Sequence, residues 1–135
     1  MAKNFDDQLR EIEARTLERV SQVVRKITLD VFNNVVMMTP VDSGRARGNW
    51  QVATGQAPSG TVEMTDPSGA TVTAQVAGEI EGMEPGDVIY LVNNLPYAQR
   101  LEDGWSQQAP GGMVALTVQR FRPIAEAAIR AARRA

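Results

Sequence analysis

The 135-residue sequence predicts a mixed α+β domain. A long N-terminal helix and a kinked C-terminal helix flank a small β-sheet with a shorter middle helix. Three observations predict it. Apolar residues recur at three-and-four spacing over residues 6–38 and again from Val114 onward. The run Val88-Ile89-Tyr90-Leu91-Val92 is short, continuous, apolar and mostly β-favouring, as a strand should be. Stretches rich in Gly, Pro and Ser separate these segments, and no internal repeat is present. Residues 1–135 read as one domain, because a chain of this length buries enough surface to fold without staples.

The first helix runs from about Asp6 to Met38, with Leu9, Ile12, Thr16, Val20, Val23, Val24, Ile27, Val31 and Val35 on one stripe. Asp6 and Asp7 suit the positive end of the helix dipole, and Asp6–Arg10 and Glu11–Arg15 have the favourable acid-first order. Some thirty helical residues span about 45 Å, more than a sheet of short strands covers, so part of the stripe is expected to need a neighbour. Thr39-Pro40 ends the helix, because proline restricts the residue before it and lacks a donor. Asp42, Ser43 and Gly44 read as a turn, with Asp42 or Ser43 as cap of a short helix that follows.

Trp50-Gln51-Val52 reads as a short strand, and Thr61 to Met64 as a further possible strand in the loop-rich stretch Thr54–Gly69. Asp66-Pro67 has the form of a cap and first position for the middle helix, which Val72, Val76, Ile80 and Met83 continue at helical spacing. Alternation over Thr71–Ala74 leaves a strand open there. After the turn Pro85-Gly86-Asp87 and the strand Val88–Val92, Asn93-Asn94-Leu95-Pro96 redirects the chain. Tyr97 to Leu101 then forms one helical turn that stops near Gly104. The last helix carries Val114, Thr117, Val118, Phe121, Ala125, Ala128 and Ala132 on one stripe, with a kink expected at Pro123.

Composition removes several function classes. A formal charge of −2 and a pI near 5.2 argue against a general nucleic-acid binder. Positive charge nevertheless gathers at Arg120, Arg122, Arg130, Arg133 and Arg134. These fit a solvated helix end, or a contact with an acidic partner or DNA. There is no apolar run of membrane-spanning length, and Met1–Arg10 has no apolar segment of the kind a secretion signal needs. Without Cys, disulfides and thiolate metal sites are excluded. A reducing cytoplasm, or a particle assembled in one, suits such a chain.

Without His, the commonest general base and metal ligand is missing, together with every Ser–His pair. Ser43 beside Asp42 has no activating base, and neither Lys3 nor Lys26 suggests a buried amine. Glu102 and Asp103 suit a turn better than a catalytic carboxylate pair, and Asp66, Asp87, Glu102 and Asp103 lack calcium-loop spacing. Gly44-Arg45-Ala46-Arg47-Gly48 lacks the glycine–lysine pattern of a phosphate loop, so Arg45 and Arg47 read as surface or interface charges. No catalytic residue, metal site or cofactor site is expected.

Two segments carry a resemblance. The first is Thr39-Pro40-Val41-Asp42-Ser43-Gly44, continuing to Trp50. The second is Asn93-Asn94-Leu95-Pro96-Tyr97-Ala98 with Leu101-Glu102-Asp103-Gly104, continuing through Pro110 and Gly112. Each is a short turn sequence, but their order behind a long helix resembles the tail-completion and neck proteins of long-tailed phages and prophages. The likeness covers nearly the whole chain. It implies a non-enzymatic virion subunit, assembled in the host cytoplasm, that joins head to tail or completes the head-facing end of the tail as a ring. Partners would be other copies of the chain and neighbouring connector, tail-terminator or tail-tube proteins, with passive DNA contact in the lumen and no membrane. A tail terminator capping the tube is the alternative within that class, and a small regulatory binding protein is the alternative outside it. As fold or interface residues the resemblance implies Pro40, Asp42, Gly44, Trp50, Asn93, Asn94, Pro96, Tyr97, Leu101, Glu102, Gly104, Pro110 and Gly112.

Overall fold

A computed structural model describes residues 4–134; Lys3 lies outside the described residues. It is α+β. Helix α1 spans Phe5–Met38, α2 Arg45–Gly48, strand β1 Trp50–Thr54, α3 Ala70–Glu81, β2 Ile89–Asn93, α4 Ala98–Glu102, α5 Val114–Gln119 and α6 Phe121–Arg134. The strands form one antiparallel pair in which Trp50 faces Asn93 and Thr54 faces Ile89. Helix α3 packs against both α1 and β1, while α5 and α6 lie along α1.

The core sits where α1 ends. Val35, Val36, Trp50, Val72, Val76, Ile80 and Met113 are buried together, with Leu29, Phe32 and Leu91 packed against them. Burying a side chain such as Val36, Val72 or Val76 completely contributes about 1.5–3 kcal/mol each, so α3 is held chiefly by its inner face. That face is the expected one: Val72, Val76, Ile80 and Met83 are all buried, and the strand alternative over Thr71–Ala74 gives way to helix.

Four expectations need correction. Thr61–Met64 forms no strand, because the Val62 N–H goes to the Asn49 side chain at 2.9 Å and β1 pairs only with β2. Asp66 does not stand directly at the start of α3. A turn through Ser68 and Gly69 intervenes, and the Asp66 carboxylate reaches across it to accept from the Val72 N–H at 2.8 Å. The final helix does not merely kink. It breaks at Arg120, three residues ahead of Pro123, where the proline supplies no N–H to the preceding turn. The expected stripe is also not buried as one face: Thr117 and Ala128 are buried, whereas Val114, Val118 and Phe121 are exposed.

The fourth correction concerns α1. Of the stripe from Leu9 to Val35, only Val35 is fully buried, and the core is met instead by Leu29, Phe32 and Val36 on an adjoining face. The first half of the helix stands clear of the core, with Phe5 71%, Ile12 55% and Val20 54% exposed. It begins at Asn4, whose side chain accepts from the Asp7 N–H at 2.8 Å in an ordinary N-cap.

Candidate functional site

The two motif segments meet beside the C-terminal end of α1. A helix end leaves carbonyls without partners, and here they are collected one by one. The Thr39 N–H donates to the Val36 carbonyl, and the Thr39 hydroxyl to the Val35 carbonyl at 2.8 Å. The same hydroxyl accepts from the Trp50 indole N–H at 2.7 Å, which fixes the largest side chain of β1 against the helix end. Arg47 completes the arrangement. Its guanidinium donates to the carbonyls of Met37 and Pro67, both at 2.7 Å, and of Thr39 at 3.1 Å. Arg47 is therefore committed to the helix end and the 66–69 turn, which corrects its reading as a surface or interface charge.

Gly44 makes this turn possible. It has φ +91°, and a Cβ there would lie 2.5 Å from the Pro67 nitrogen. Its carbonyl accepts from both the Gly48 and Asp66 N–H groups at 2.9 Å. Gly44 is itself the N-terminal cap residue of α2. Ser43 gives only a 3.3 Å contact to the Arg45 N–H, and Asp42 is exposed, so neither caps α2 as expected. At the other end of α2, Asn93 donates to the Ala46 carbonyl at 2.8 Å and the fully buried Asn49 to that of Arg45 at 2.9 Å. Asn94 holds the 58–60 loop through the carbonyls of Pro58 and Gly60.

The second segment is built around Glu102. Its carboxylate accepts from three successive N–H groups at the start of α5: Met113 at 3.1 Å, Val114 at 2.8 Å and Ala115 at 3.0 Å. Burial pushes this carboxyl up, but the N–H donors of Ala115, Val114 and Met113 outweigh it and hold the group below its usual value. Gly104 and Gly112, both at positive φ, let the loop close: a Cβ on Gly104 would strike the Pro110 carbonyl, and one on Gly112 would lie 2.5 Å from the Glu102 carbonyl. Pro110 thus works through its backbone, and its ring is exposed, as is that of Pro96.

An open cleft of about 230 Å³ lies between the two segments, lined by Pro40, Gly44, Tyr97, Leu101 and Gln108 among others. Across it the Gln108 amide accepts from the Val41 N–H at 2.8 Å and donates to its carbonyl at 3.0 Å, imitating one rung of a sheet. Tyr97 and Leu101 share a helical turn, with the Leu101 N–H on the Tyr97 carbonyl at 3.2 Å. The cleft offers the hydroxyls of Ser43, Tyr97 and Ser106, the exposed charges of Asp42 and Arg45, and aliphatic surface. The arrangement joins chain segments, and the side chains of Gln108, Ser43 and Ser106 are directed at backbone.

Sequence reasoning named Glu102 and Trp50, misassigned Arg47 and missed Gln108, whose partner Val41 is distant in sequence. Among the described residues, no group of three or more acidic side chains is placed to hold a metal ion, and no helix is long and apolar enough to cross a membrane. Compared with protein-family models, curated proteins and solved structures, the chain matches none.

Proposed function

We propose that this chain is a non-catalytic virion subunit of the neck or upper tail of a long-tailed phage, acting as one member of a closed ring. It joins the head to the tail or completes the head-proximal end of the tail tube. Two features support this reading: the resemblance carried by Pro40–Gly44 and Asn93–Gly112, and the exposed apolar first half of α1. The second carries most weight, because uncovered apolar surface of that extent marks an interface. Head-to-tail contacts between identical subunits close into rings when the rotation permits. A ring leaves an axial passage, and a net charge of −2 disfavours adhesion of DNA phosphates to its wall.

Electron microscopy of particles assembled without this protein tests the proposal. Unjoined heads and tails are the expected result. Abnormally long tails would assign the protein to tail termination instead, and normal infectious particles would overturn a virion role altogether.

A further inference from the structure

The stripe on α1 is covered for only part of its length. Thr16, Val20, Val23, Ile27, Asp30 and Asn34 follow one another at three-and-four spacing, and α6 packs at the Asp30–Asn34 end, where Pro123, Ile124 and Ala127 share a cleft with them. Helix α6 has 14 residues and α1 has 34, so α6 reaches along about 21 Å of a helix about 51 Å long. Beyond that cover the same stripe continues outward through Ile12, Leu9 and Phe5, each at least 46% exposed.

A second apolar patch lies elsewhere on the molecule. Val114 and Val118 on α5 and Phe121 at the start of α6 face outward, 43%, 66% and 49% exposed. The two patches differ in charge. Over residues 4–20, five carboxylates (Asp6, Asp7, Glu11, Glu13 and Glu18) stand among three arginines. Around the other patch and along α6, five arginines (Arg120, Arg122, Arg130, Arg133 and Arg134) stand with two carboxylates, Glu126 and the Glu102 that caps the start of α5.

We infer that the first half of α1 of one copy docks on the outward α5–α6 face of the next copy, with Leu9 and Ile12 against Val118 and Phe121. Opposite net charge favours this pairing over α1 against α1, which would set two acid-rich segments side by side. The contact joins different surfaces of identical chains, so it is directional and repeats from copy to copy. It also extends within the assembly what α6 does within one subunit, since both copies supply an α6 to the same stripe of α1. This inference rests on the ring-subunit reading but specifies which surfaces meet.

The chain has no cysteine, which permits a direct test. Ile12→Cys and Val118→Cys are made separately in the full chain, mixed at high concentration and oxidised. A disulfide-linked dimer containing one of each is the expected product, and the doubly substituted chain should give a ladder of higher oligomers. Dimers from Ile12→Cys alone would overturn the inference in favour of α1–α1 pairing. No cross-link in any mixture would overturn it too. Cross-linking together with normal particles in the deletion experiment would keep the contact and discard the virion role, so the two failures are separable.

Discussion

The last turns of α1, from Leu29 to Met38, meet the core, α3 and α5, and end in a set of carbonyls gathered by Thr39 and Arg47. The first four turns, from Phe5 to Arg19, carry the same amphipathic pattern and stand in the open. One half is fixed by tertiary packing, whereas the other relies on its Asn4 cap, its acidic first turn and local side-chain contacts, each contributing about 1 kcal/mol or less. An amphipathic stripe therefore announces that an apolar face will be covered but not by which molecule. The contrast also separates two kinds of residue, those that set the fold and those free to serve an assembly.

The packed half should break first and hardest. Gly44→Val forces a β-branched residue into positive φ and drives its Cβ onto the Pro67 ring. The conformational cost is about 1–3 kcal/mol and the collision adds to it, so a loss above about 3 kcal/mol is expected in urea denaturation. A melting midpoint unchanged from the parent would remove the claim that this turn anchors α1.

Glu102 should give an intermediate effect with a pH signature. Glu102→Gln keeps one acceptor but loses the charge, for an expected loss of about 1–2 kcal/mol at neutral pH. The folded carboxyl lies below its usual value of 4.5, so its stabilisation is complete above that value and disappears as pH falls through the lower, folded one. The parent should thus lose more stability than Glu102→Gln between about pH 6 and about pH 3. Parallel pH profiles for the two proteins would show that the α5 cap has no electrostatic part.

The smallest change in stability is expected in the free half. Ile12→Ser, at a 55% exposed position, should alter unfolding by about 0.5 kcal/mol or less while weakening association between copies. Sedimentation of the variant beside the parent checks this. A large drop in stability would mean that the stripe is covered within its own subunit.

Much of the fold was legible because its signals are local. Thr39-Pro40 stops α1, the spacing of Val72, Val76 and Ile80 sets the inner face of α3, and Ile89–Val92 lies within the expected strand. The reading of β1 fell two residues short of the strand, whose Ala53 and Thr54 are paired by Tyr90 and Ile89, partners distant in sequence. The site was legible only in part. Gly44, Gly104 and Gly112 stood out as turn glycines, but the acceptor of a glutamate or the target of a guanidinium depends on segments brought together by folding. Gln108 and Val41 are 67 positions apart, and no local pattern marks such a pair.

The free half of α1 has a mechanical consequence. A helix clamped at one end is a lever, and a tilt of about 5° at its base moves the far end of this one by about 4 Å. The guanidinium of Arg47 and the hydroxyl of Thr39 thereby govern alignment at a place they never touch. Loosening that clamp would blur the position of Phe5 and Leu9 while leaving their chemistry intact, so faults at the α1 contact should arise from substitutions about 40 Å away along the helix.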